Sequence, residues 1–307
     1  MYAAPPDKTL TVFASIPEHL HMPPRPSYWL DMQLKGAHEP AFLEGPAFDA
    51  QGNLWVVDIP WGRIFKITGR GEVSCEIEYD GEPNGLAFAP DGRLYVADAK
   101  RGLMVFDPGS KAIEPVLERV MAAGFRGLND LTFASNGDLY FTDQGQTGLH
   151  DPTGRLWRLK TDGRLDLLLS NVPSPNGLAL NLDEDIVYLA ATRANAVWRV
   201  PLTKQQGLVT KVGTYIQLSG GGGPDGMALD ESGGIAVCHT GLGAAWIFDK
   251  LGQPALRLNS PFGTHITNCA YGGPQRRQLF VTAMHHVLVA DVEIAGAPTH
   301  AQRAWAR

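Results

Sequence analysis

Six residues stand at the head of six similar phrases: Glu44, Asn84, Asn129, Asn176, Asp225 and Asn268. Each side chain ends in a carboxylate or an amide oxygen. Brought together, they would offer two carboxylates and four amide carbonyls and neither sulfur nor imidazole. Hard divalent cations take such donors, with water completing the shell. The chemistry to expect is therefore binding of calcium, magnesium or manganese, with zinc and iron(II) as further choices, and polarisation of a substrate oxygen by the bound ion.

The spacing of these residues points to the elements that would position them. Successive heads lie 40, 45, 47, 49 and 43 residues apart. The clearest phrases are Glu44-Gly-Pro-Ala-Phe, Asn84-Gly-Leu-Ala-Phe and Asn129-Asp-Leu-Thr-Phe. Each is followed by a turn pair (Gln51-Gly52, Asp91-Gly92, Asn136-Gly137). A second short run rich in Val, Tyr, Trp and Phe then ends in Asp58, Asp98 or Asp143. Strand, turn and strand repeating every ~40–50 residues is the signature of propeller blades. The expectation is an all-β, six-bladed β-propeller in one domain spanning 1–307, with a central metal-binding channel. Its blades fall at about 44–80, 83–118, 128–168, 175–217, 224–258 and 267–292. The inner strands line the channel, so the six heads form a ring. Residues 1–43 supply a closing strand at Thr9–Ala14, and the Pro-rich stretch His19–Asp31 is an ordered loop that could cap the mouth. Val116–Phe125 is a helical or irregular excursion, and the tail Ile294–Arg307 frays.

A second column ends the second strands: Asp58, Asp98, Asp143, Ala191, His239 and Ala283. The three Asp are expected to bond neighbouring backbone N–H groups. Substrate contact is expected where the column departs from Asp, at His239 and Ala283. Gly220–Gly223 could be mistaken for a phosphate loop, but no Lys-Ser/Thr follows it.

Composition narrows the class. A net charge of −6 argues against nucleic acid and anionic membranes as partners. The chain has no apolar run of membrane-spanning length and opens without the apolar core of a signal peptide. Three scattered cysteines (Cys75, Cys238, Cys269) read as free thiols of a cytoplasmic protein.

The ordered set Glu44-Gly-Pro, Pro83-Asn84-Gly-Leu, Leu128-Asn129-Asp130, Pro175-Asn176-Gly-Leu-Ala and Pro224-Asp225-Gly-Met resembles the regucalcin/gluconolactonase (SMP-30/gluconolactonase/LRE-like) family of six-bladed propellers. It also resembles the related diisopropylfluorophosphatase branch. The resemblance covers about 44–292. It implies one divalent metal ion held by Glu44, Asn129, Asn176 and Asp225, and a hydrolase that opens a lactone, such as the sugar lactone gluconolactone. Within it Asp225 is the candidate base or water-orienting residue; a metal-bound carboxylate is a weak base, and His239 at the mouth is a rival. Asn84, Asn129, Arg193 and His239 are candidate substrate contacts. A phosphotriesterase-type hydrolase and a non-catalytic, metal-stabilised binding module are the alternatives. His285 and His286 lie near the place of a mouth histidine in the phosphatase branch, one position out of register.

Overall fold

The structure is a computed structural model that describes residues 4–120 and 123–306. Six antiparallel sheets follow one another along the chain. Their inner strands are Leu43–Phe48, Pro83–Phe88, Leu128–Phe133, Pro175–Leu180, Gly223–Leu229 and Cys269–Gly272. Each contacts the inner strand of the next blade, and the sixth contacts the first, so the ring closes. The architecture is the six-bladed propeller that the repeats predict.

Closure is made by the N-terminus. Thr11–Ser15 pairs antiparallel with His286–Asp291 as the fourth strand of blade six, and Asp7–Thr9 adds a parallel strand to blade five. The core lies between blades, where the alternating apolar residues of the first three strands interdigitate. Phe65, Phe106 and Phe141, on the third, third and second strands of blades one to three, are fully buried.

Two elements differ from the sequence expectation. Tyr28–Leu34 is a helix, α1, within the stretch read as loop and just beyond it. Ser27 caps it by accepting from the Leu30 N–H, and Lys35 ends it in the left-handed conformation. The tail does not fray: His300–Trp305 is a helix, α2, opened by a Thr299/Gln302 capping box. Ala301 is buried, Trp305 packs on Phe88, and its Nε1–H donates to the Pro90 carbonyl at 3.0 Å. In the excursion before blade three, Arg119–Val120 pairs with Ala123–Gly124 as a strand ladder; the residues between them lie outside the described set. No described helix is long and apolar enough to cross a membrane.

Candidate active site

The backbone of the inner strands turns the ring residues inward. In five blades the register with the second strand slips at or just after the ring residue, between Glu44 and Ala47, Pro83 and Gly85, Leu128 and Leu131, Pro175 and Leu178, and Pro224 and Met227. A bulge re-aims a side chain that a regular strand would point into the sheet. The residue after the ring position is Gly in four blades because the next blade crowds it. A Cβ on Gly177 would lie 2.5 Å from the Asp225 carbonyl, and one on Gly226 would lie 1.9 Å from Asn268 Oδ1. Threonine hydroxyls pin neighbouring blades at the same level. Thr142 donates to the Asn176 carbonyl, Thr192 to Pro224 and Thr267 to Leu43, at 2.8, 2.8 and 2.9 Å.

Glu44, Asn84, Asn129, Asn176 and Asp225 line one cavity of about 230 Å³ at the mouth of the channel. All five are buried. The Oδ1 atoms of Asn84, Asn129 and Asn176 have no hydrogen-bond partner among the described residues. Asn129 is oriented by its own amide, which donates to Gln144 Oε1 at 3.0 Å, while Gln144 donates to Ser174 Oγ. Asn268 belongs to the ring but is turned away. Its Oδ1 accepts from the Cys269 N–H, and its Nδ2 donates to Glu44 Oε2 at 2.8 Å. It positions Glu44.

Among the described residues no arginine or lysine pairs with these carboxylates. Burial, and then the charges of Asp225 and Asp130, push the Glu44 carboxyl well above the usual range. Burial and Asp130 push Asp225 up to about 8, against a smaller opposing pull from Arg193. Among the described residues no group of three His, Cys, Asp or Glu side chains is placed to hold a metal. The donor set that does converge is two carboxylates and three unpartnered amide oxygens. Buried oxygens left without donors, beside anions left without counter-charges, fit a hard cation.

Asp130 was not singled out from the sequence. It stands where the other blades carry Gly or, in blade six, Cys269, and that break in the column was the available signal. Its carboxyl accepts from the Leu131 N–H at 2.8 Å and from Asn268 Nδ2 at 3.5 Å, and burial pushes it up to about 7. His265 and the α1 residues Trp29, Gln33 and Leu34 also line the cavity, and motif spacing gave no sign of them.

Arg193 lines the cavity from blade four. His239 does not reach it. The end of its strand runs behind the four-glycine run, so its ring is buried and its Nε2–H donates to the Gly220 carbonyl at 2.9 Å. In the structure its hydrogen bond supports that loop. His285 and His286 are not among the residues lining the cavity; His21 stacks edge-on against His285, and Ser15 Oγ bonds His286 Nδ1.

The aspartates of the second column bond backbone, as expected. Asp58 accepts from Phe42 N–H and Asp98 from Glu82, Lys100 and Arg101 N–H; Asp143 accepts from Arg126 and Gly127 N–H. Each ties down the loop that leads into its blade.

Residues 42–285 match the family model described as SMP-30/Gluconolactonase/LRE-like region. The chain is 31% identical over 277 residues to the gluconolactonase of Zymomonas mobilis, covering 80% of this chain and 77% of that one. It is 29% identical over 244 residues to lactonase drp35 of Staphylococcus aureus, covering 76% and 73%. Among solved structures, a calcium-binding protein, regucalcin, from Agrobacterium tumefaciens superposes with a TM-score of 0.71 at 23% identity, over 85% of this chain and 93% of that one.

Proposed function

The chain belongs to the SMP-30/gluconolactonase/LRE-like family, and from that premise we propose that it is a hydrolase that opens the ring of a lactone, most naturally a sugar aldonolactone, with one divalent cation in the ring of oxygens. The observation that carries the reading is the convergence of Glu44, Asp225 and three unpartnered amide oxygens on one cavity. The named gluconolactonase and lactonase relatives support the activity, and the calcium-binding regucalcin supports calcium as the first ion to try.

Glu44, Asn129, Asn176 and Asp225 would hold the ion, and Asn268 would keep Glu44 Oε2 in place. A cation there supplies the positive charge that polarises the lactone carbonyl. Asp225, on the cavity wall, orients the attacking water and accepts its proton on a carboxylate oxygen. Asn84 and Asn129 take substrate hydroxyls as acceptors, and the Arg193 fork donates to a hydroxyl or to the carboxylate that forms on ring opening. The three free thiols suit a reducing compartment, and the cytoplasm is the proposed location.

The test is acid release from gluconolactone, followed after chelation and after adding back calcium, magnesium, manganese or zinc. Turnover that a chelator abolishes and one of these ions restores is the expected result. Full turnover in the chelated protein would remove the metal from the mechanism. No turnover of any lactone would leave the alternative of a binding module tied together by its ion.

A further inference from the structure

The cavity has two unlike walls. Its lining from α1 and blade one includes Trp29, Leu34, Phe42 and Ile59. Trp29 packs on Phe42 with ring centroids 4.8 Å apart, and Trp29 and Leu34 join the apolar cluster that contains Phe42 and Ile59. Gln33 is the one polar residue that α1 brings to the cavity, and it is exposed. The lining from blades three to five is polar: Gln144, Ser174, Thr192, Arg193 and Thr240. Blades one and four are three apart in a closed ring of six, so these walls face each other across the axis.

We propose that this enzyme selects lactones with one apolar arm, a deoxy or alkyl-substituted lactone, over their fully hydroxylated counterparts, and that Leu34 and Trp29 set that preference. The inference rests on the lactonase reading. A lactone whose carbonyl points down to the ring of oxygens has its substituents directed at the two walls. Hydroxyls on the Arg193 side find donors and acceptors. A hydroxyl pressed onto Leu34 loses its water to a side chain that cannot hydrogen-bond, which costs binding. A methyl group in the same place loses nothing and gains contact with Trp29 and Leu34. The wall owes its character to α1. The helix follows a Pro-rich lead, and Ser27 fixes its start, so the apolar surface is built before substrate arrives.

The experiment compares D-galactono-1,4-lactone with D-fucono-1,4-lactone, which differs only in lacking the hydroxyl at C6. Each is followed by acid release from the metal-loaded protein. The expected kcat/KM favours the deoxy lactone by roughly ten- to a hundredfold, the range that one group can earn in an apolar pocket. Leu34→Gln moves the ratio towards one. Met32→Gln, on the outer face of the same helix where Met32 is 47% exposed, leaves the ratio where it was. Equal rates, or a preference for the hydroxylated lactone, overturn the inference while leaving the lactonase reading intact. A ratio unmoved by Leu34→Gln overturns the part assigned to that residue. Turnover of neither lactone overturns the inference, and the lactonase reading then stands or falls on gluconolactone turnover by the same protein. The parent protein alone supplies the ratio, so the test survives a variant that fails to fold.

Discussion

Two sets of buried carboxylates stand on the first and second strands of the blades, and the protein treats them oppositely. Asp58 and Asp143 each have an arginine. Arg63 forks onto Asp58 with Nε at 2.8 Å from Oδ2, and Arg155 Nε lies 2.6 Å from Asp143 Oδ2. Asp98 has three backbone N–H donors and the Tyr79 hydroxyl at 2.7 Å. Glu44 and Asp225 line one cavity together with three unpartnered amide oxygens, and among the described residues no arginine or lysine pairs with either. The difference shows in proton affinity: burial lifts Asp58 to about 6 against the pull of Arg63, but lifts Asp225 to about 8. A buried charge that the fold completes is architectural. One that the fold leaves incomplete marks where something else must bind.

Exchanging the roles of the two sets should therefore exchange the phenotypes. The largest effect is expected at Asp58→Asn, which strands Arg63 in an interior where its side chain is 3% exposed. Breaking one side of a buried pair costs about 3–5 kcal/mol. Denaturant unfolding should show that loss, while the folded variant keeps its metal content and most of its lactone turnover. Next come Glu44→Gln and Asp225→Asn. These should lose bound metal and activity together, by at least the ~10–100-fold seen when residues around a metal are altered. The metal-free variants should be as stable as the metal-free parent, because an uncompensated charge has been removed. Elemental analysis, initial rates and melting curves separate the two outcomes. A destabilised Asp225→Asn with normal activity would erase the distinction.

The histidines of blade six ask whether titratable groups outside the ring and without a counter-charge behave like either set. Burial, then His285 and His21, hold His286 down to about 4, and burial and His21 lower His285. A folded value below the ordinary 6.5 means that the folded protein binds fewer protons than the unfolded chain between about 4 and 6.5. Stability is then lost as pH falls through that window. His286→Gln should make the decline shallower. Melting temperatures across that range check it, and an unchanged slope would show that the cluster carries no linkage. The decline should occur with or without added cation, which separates it from the ring.

The blades were legible because each inner strand must satisfy local demands that repeat: an oxygen-bearing head, a small residue where the next blade crowds it, and an apolar run. Gly226 beside Asn268 shows how narrow that demand is. The ring could be read from the same phrase. What could not be read was set by partners distant in the chain. His239 occupies the expected strand end, yet the path of Gly220–Gly223 decides that it faces a carbonyl and not the cavity. Helix α1 sits in a Pro-rich stretch, and its use as a wall depends on Phe42 and Ile59. The tail looked too polar to order, but Ala301 and Trp305, four positions apart, present one apolar stripe to blade two. Asp130 was visible as an exception to a glycine column. Its meaning needed the Asn268 bridge to Glu44.

The smallest effect is expected at Asn84, and it tests the distinction at its finest point. Asn84 lines the cavity with its Oδ1 buried and unpartnered, like the amides of Asn129 and Asn176. Unlike them it is proposed to meet substrate and not metal. If that is right, Asn84→Ser keeps a hydroxyl in the ring and the metal content is unchanged. The loss then falls on KM, by about the tenfold that one hydrogen bond of ~1–1.5 kcal/mol is worth, with kcat nearly intact, because an interaction made equally in ground and transition states changes only binding. Loss of metal in this variant would move Asn84 into the coordination set. A gain in stability with no change in KM would make its orphaned oxygen a tolerated defect of the fold, and the rule that incompleteness marks a binding site would fail at that residue.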